Sequence, residues 1–180
     1  MIDPSVIVDI KSIDETRELK KNADGSYTIG AAVAGAEAHE RADITADWPG
    51  IIEAWDLIGS TQIQGRASLG GNLCNASPAG DSVPAMVAAG MTANIAGPDG
   101  RRTLPVEEVT AGPGKTNLKK GEFIVSFNLP AKPSNGGDAY LRLIPRTEMD
   151  IAVVGCGVAL TLDDSGTVTS AKVSLGAVAA

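Results

Sequence analysis

Residues 64–81 read QGRASLGGNLCNASPAGD, from Gln64 to Asp81. Four glycines sit among small and polar residues, and the stretch closes on an aspartate. It shows neither a helical period nor strand alternation, so it reads as a loop rich in bare backbone. Glycine permits positive φ and lets a ligand approach the main chain closely. Successive exposed N–H groups can form an anion-binding nest. Ser68, Asn72, Asn75 and Ser77 add hydroxyl and amide groups able to bond phosphate or ribose. Asp81 can accept from sugar hydroxyls or cap the helix that follows. This is the chemistry of a phosphate-and-ribose cradle without a catalytic base. It is neither GxxxxGK[ST] nor GxGxxG between a strand and a helix. On residue types alone, a plain loop before a capped helix stands level with a ligand-binding loop.

Outward from this stretch the chain divides into blocks. Upstream, VIVDI (6–10) is a strand candidate, DGS (24–26) a turn and YTIGAAV (27–33) a second strand. Residues 35–47 read as helical. IIEAWDLIG (51–59) puts Ile51, Ile52, Trp55 and Ile58 on one helical face. Downstream, Asp81 and Ser82 read as an N-cap with Pro84 in the first turn. MTANIAG (91–97) and RRTLP are strands joined by a PDG turn, and EFIVSFNLP (122–130) alternates as a half-buried strand does. KPSNGGD (132–138) is the best linker in the chain. AYLRLIPR, IAVVGCGVALTL and TVTSAKVSLG then read as strands of a β-rich unit, and the run 151–160 is expected to leave an exposed sheet edge. Blocks of strands and helices, without regular βαβ alternation, predict an α+β fold.

Composition narrows the function classes. The 180 residues are 43% hydrophobic and 21% charged, with a net charge of −7 and only 3% aromatic residues. An acidic chain with few aromatics lacks both the basic stripe and the stacking platform of a nucleic-acid binder. His39 is the single histidine, and Cys74 and Cys156 lie far apart. That leaves too few ligands for a structural zinc and no GxSxG elbow for a serine triad. Two free thiols predict a reducing, cytoplasmic setting, and no apolar run approaches the ~18 residues of a membrane span. Cys74 is expected to be a small buried spacer, Cys156, Trp48 and Trp55 core residues, and His39 a surface residue.

TQIQGRASLGGNLCNASPAGD resembles the second flavin-binding loop of the FAD subunits of molybdenum hydroxylases, the xanthine dehydrogenase and carbon monoxide dehydrogenase family. RRTLPVEEV, GPGKTNLKKGEFIVSFNLP and YLRLIPRTEMDIAVVGCGVALTLDDSG resemble the later segments of that family, in the same order. The resemblance implies an α+β fold of the vanillyl-alcohol oxidase (PCMH) FAD-binding type, here its second subdomain, in residues 1–131. A linker at 132–138 and the start of the CO dehydrogenase flavoprotein C-terminal domain at 139–180 follow. It implies FAD as the cofactor, with a molybdenum cofactor on a large partner subunit and 2Fe-2S clusters on a small one. Electrons would pass from those clusters through FAD to an external acceptor. By matched position, Ser68, Gly70, Gly71 and Asn72 are expected at the FAD diphosphate. Asn75 and Asp81 are expected at the diphosphate–ribityl region or ribose, Ile124 near the flavin or adenine, and Arg142 at the isoalloxazine edge.

Three departures temper these expectations. The AGGTDL-type loop that supplies the other half of the family's diphosphate cradle is missing ahead of Pro4, and the C-terminal domain ordinarily runs on beyond AKVSLGAVAA. Gly65 and Arg66 also stand where the family has Arg-Asn. The sequence therefore reads as a flavoprotein truncated at both ends, expected to bind FAD weakly and to be inactive alone. The competing expectation is a flavin-free docking or assembly module of the same complex.

Overall fold

The computed structural model describes residues 4–147 and 149–179. Residues 1–3, 148 and 180, which the division at 1–131 and 139–180 includes, lie outside the described residues. A 3₁₀ turn at Ile10–Ser12 leads into α1 (Asp14–Arg17), β1 (Leu19–Lys21), β2 (Tyr27–Gly30), α2 (Gly35–His39), α3 (Ala42–Asp47) and α4 (Pro49–Asp56). Next come α5 (Thr61–Gln64), α6 (Leu69–Asn75) and α7 (Ser82–Ala88). The rest is β: β3 (Thr92–Gly97), β4 (Gly100–Pro105), β5 (Thr110–Gly112), β6 (Lys115–Thr116), β7 (Phe123–Leu129), β8 (Gly136–Leu143), β9 (Val154–Leu162) and β10 (Val168–Gly176).

An antiparallel five-stranded sheet runs β1-β2-β7-β3-β4, and a three-stranded one runs β10-β9-β8. Helices and antiparallel sheets in separate blocks make the fold α+β, as the sequence predicts. The core joins Tyr27, Ile29, Phe127, Leu129, Ala93 and Ile95 from one sheet face to Ile51, Trp55, Leu69, Leu73 and Met86 from the helices. Burying each of the larger side chains is worth about 1.5–3 kcal/mol. The three-stranded sheet rests on α4 and α7. Gly157 on β9 makes this possible: a Cβ there would come within 2.5 Å of the Pro84 carbonyl oxygen on α7.

Two strand expectations change. VIVDI forms no strand; Val6, Ile7 and Val8 are exposed and run into the 3₁₀ turn, with no strand beside them among the described residues. The run 151–160 supplies β9, the central strand of its sheet, so both its edges are paired. What it leaves exposed is a face. Leu141 and Leu143 on β8, Leu160 on β9, and Val173 and Leu175 on β10 are all exposed, and the register sets Leu141, Cys156 and Leu175 side by side. Cys156 accordingly sits half-buried on that outer face rather than in the core.

A bulge in the first sheet shapes the site. Ile95 pairs with Ile124 and Asn94 with Ser126, leaving Val125 as the extra residue on β7. The Val125 carbonyl then accepts from the Ala31 amide at 2.9 Å, carrying β2 into its turn. Bulges re-aim neighbouring side chains; here Phe123 and Ile124 reach the mouth of a hollow.

Candidate functional site

The centre of the glycine-rich stretch, Leu69–Asn75, is a helix rather than a loop. Ser68 is the N-cap of α6, extended at φ −139° and ψ 153°, and its Oγ accepts from the Gly71 amide at 3.2 Å. Leu69 and Leu73, one turn apart, are both buried and hold the helix to the core. The helix ends at Ala76, which takes a left-handed conformation at φ 49°. Packing has overridden the poor helix propensity of two adjacent glycines.

This changes what the main chain can offer. The Gly70 amide donates to the Ala31 carbonyl at 3.2 Å and the Asn72 amide to the Ser68 carbonyl at 3.0 Å. The expected nest of bare amides is therefore mostly bonded within the protein. What remains open is the surface that side-chainless glycines expose. Gly70 is required here: a Cβ would lie 2.5 Å from the Ala31 oxygen. Upstream, Gln64 is structural. Its buried amide nitrogen donates to the carbonyls of Trp55, Asp56 and Ile58 at 3.2, 3.1 and 2.6 Å, closing the end of α4.

Beside α6 lies a hollow of about 280 Å³. The β2–α2 turn, the 3₁₀ segment and the start of β7 form its other walls. Of the residues expected from the sequence, Ser68, Gly70, Gly71 and Ile124 line it together. Cys74 lines it too, exposed rather than buried as expected, and partial desolvation by the surrounding walls pushes the thiol pKa up. Sequence reasoning missed Lys11, whose Nζ donates to the Ala32 carbonyl at 2.9 Å. No local pattern in DIKS signals it; only the tertiary approach to the β2–α2 turn does.

The other expected residues lie elsewhere. Asn72 Oδ1 accepts from the Ser82 amide at 3.2 Å and from its hydroxyl at 2.7 Å, tying α6 to α7. Asn75 is exposed at the far end of α6. Asp81 makes no side-chain cap on α7. Its carboxylate instead accepts from Arg142 at 3.0 Å and from the Tyr140 hydroxyl at 3.1 Å. Arg142 also donates to the Leu57 carbonyl at 3.2 Å, and the Tyr140 amide donates to Glu53 at 2.8 Å. Burial pushes Asp81 up more than Arg142 and Tyr140 draw it down. This buried network binds β8 to the ends of α4 and α7.

The hollow fits an anionic group. Lys11 lines it together with Asp9, while Arg17 is paired with Glu37 at 2.7 Å and Arg66 stands 4.0 Å from Asp9, in a chain of net charge −7. Its volume admits a diphosphate and part of what it carries, while a whole dinucleotide exceeds it. His39 is exposed and pairs with Asp56 at 2.6 Å. Among the described residues, no helix is long and apolar enough to cross a membrane.

Comparison with known proteins agrees with this chemistry. A family described as "FAD binding domain in molybdopterin dehydrogenase" matches residues 1–132, and "CO dehydrogenase flavoprotein C-terminal domain" matches residues 139–180. The chain is similar to a putative xanthine dehydrogenase FAD-binding subunit of Escherichia coli, 31% identical over 96% of this chain and 59% of the relative. It is similar to the carbon monoxide dehydrogenase medium chain of Hydrogenophaga pseudoflava, 29% identical over 98% of this chain and 60% of the relative. Among solved structures, quinoline 2-oxidoreductase from Pseudomonas putida 86 superimposes with a TM-score of 0.88 at 25% identity, over 99% of this chain and 61% of that one. The chain thus spans about 60% of the length of these relatives.

Proposed function

This chain belongs to the family of FAD-binding domains in molybdopterin dehydrogenases, and we propose that it forms the diphosphate seat for FAD in an oxidoreductase of the molybdenum hydroxylase type. The observation that carries this reading is the convergence of Ser68, Gly70, Gly71 and Ile124 on one hollow that the Lys11 side chain also lines. The flavin, when bound, supplies the redox chemistry, taking electrons from iron–sulfur clusters and passing them to an external acceptor. The protein supplies position and charge. The Ser68 oxygen accepts from the Gly71 amide, which leaves its hydroxyl hydrogen able to donate to a phosphate oxygen. The bare faces of Gly70 and Gly71 allow the phosphates to approach, and Ile124 gives apolar contact beside them. Asn72, Asp81 and Arg142 act by fixing α6, α7 and β8 relative to one another; direct contact of Asp81 or Arg142 with the cofactor requires their pair to open. Asn75 is free to meet the ribityl or ribose hydroxyls.

In this reading residues 1–131 form the flavin-binding unit and residues 139–180 begin a second unit, with 132–138 between them. The partners are a large subunit carrying the molybdenum cofactor and a small subunit carrying 2Fe-2S clusters. No group in the hollow is required as a base, and the chain alone turns over no substrate. The hollow admits only part of FAD, so its contacts are few against the entropic cost of immobilising the ligand, and binding to it is weak. Titrating the chain into FAD should give a saturable rise in flavin fluorescence anisotropy that ADP reverses, with a Kd of roughly 10 μM to 1 mM. A flat response up to that range contradicts the proposal.

A further inference from the structure

Lys11 stands outside the glycine motif, yet its geometry ties it to the same hollow. Two consecutive carbonyls of the β2–α2 turn organise the walls: Ala31 accepts from the Gly70 amide at 3.2 Å, and Ala32 accepts from the Lys11 ammonium at 2.9 Å. The turn thus fixes the glycine face on one side and a positive charge on the other. An ammonium has three donors, and the bond to Ala32 uses one. Lys11 is also the one basic side chain among the residues that line the hollow. Resting on the reading of the hollow as a diphosphate seat, we propose that Lys11 is the charge that anchors the diphosphate there and makes the site prefer FAD to flavins without one.

The electrostatics agree. Burial first, then Arg66 and Arg17, push the Lys11 pKa down, against the smaller opposing pull of Glu37 and Asp9. An ammonium held among other cations is relieved when an anion arrives. Sequence spacing could not reveal this residue, because 57 positions separate it from Ser68 and only the turn brings the two together.

The test compares K11M, K11R and the unsubstituted chain, titrated with FAD, riboflavin and inorganic pyrophosphate at low and moderate salt. One charge-assisted hydrogen bond lost should weaken FAD and pyrophosphate binding about tenfold in K11M. The salt dependence of binding should flatten in K11M, riboflavin binding should be unchanged, and K11R should recover most of the loss. Equal melting temperatures of the three chains exclude a folding defect as the cause. If FAD binds K11M as well as it binds the unsubstituted chain, the Lys11 assignment fails and the flavin reading stands. If pyrophosphate binds in a Lys11-dependent way while FAD does not bind, the assignment survives as an anion site and the flavin reading fails. If neither binds at about 1 mM, both are overturned.

Discussion

At the scale of single residues, the most consequential contact lies outside the hollow. The side chains of Arg142 and Asp81 are 6% and 12% exposed, and they meet at 3.0 Å. Removing one partner of such a pair strands the other as a buried, uncompensated charge, which costs about 3–5 kcal/mol. R142M should therefore lower the melting temperature by roughly 6–20 degrees in a domain of this size. Restoring neutrality with D81N in the same chain should recover part of that loss, measured by thermal unfolding followed by circular dichroism. A loss in R142M comparable to that of an exposed-residue substitution would show that the network is decorative. In sequence, Asp81 looked like an N-cap, because aspartate before Ser-x-Pro is a helix-start signal. The cap never forms: Asp81 has helical backbone angles, φ −56° and ψ −40°, and its carboxylate turns to β8. A partner 61 positions away leaves no trace in local sequence.

At the scale of elements, what could be read in advance followed hydrophobic period and turn chemistry. α4 was legible because Ile51, Ile52 and Trp55 share a face, and all three are buried. The β3–β4 hairpin was legible from its PDG turn, and β7 from its alternation. α6 was hidden because Gly70, Gly71 and Asn72 are poor helix formers; the available signal was the spacing of Leu69 and Leu73, with Ser68 as cap. Ser68, Gly70, Gly71 and Ile124 as a group came from family resemblance, while Lys11 needed the tertiary fold. A carboxylate contact also crosses between elements. Asp138 on β8 sets its carboxylate against Gly50 at the start of α4, where the Gly50 and Ile51 amides draw its pKa down against burial, and its Oδ1 is buried with no partner.

Burial pushes the Asp138 carboxyl up to about 6. For an acid raised in the folded state, the native chain holds a proton that the unfolded chain has released. Its contribution to stability is thus fully present below the unfolded value near 3.8 and is lost as pH rises through about 6. Glu122 behaves oppositely: Arg102 and then the Lys119 amide hold it down at about 2. Its contribution is present above the unfolded value of 4.5 and is lost as pH falls toward 2. Carboxyl-carbon NMR titration should find midpoints near these values, and D138N should flatten the dependence of stability on pH between about 4 and 6. An Asp138 midpoint near 4 would contradict the burial argument.

At the scale of the whole molecule, the two faces of the three-stranded sheet differ: the inner one carries the Arg142–Asp81 network, and the outer one is apolar and open. Its inner face rests on α4 and α7. On the outer face Leu141 is 77%, Val173 62% and Leu175 56% exposed. Apolar patches of this kind limit solubility more than they support the fold. L141E with V173E should therefore raise the solubility limit and leave the melting temperature within a few degrees, as checked by precipitation assay and thermal scan. A large loss of stability would mean that the outer face packs against something the described fold does not contain.

The central claim is that the hollow between the β2–α2 turn and α6 receives the diphosphate of FAD. Amide-resolved NMR during FAD titration tests it most directly. The account predicts saturable shifts concentrated at Ala31, Ala32, Ser68, Gly70 and Gly71, together with Lys11, and little change on the outer face of the β8–β10 sheet. Shifts centred on that outer face, or none anywhere at millimolar FAD, would contradict it.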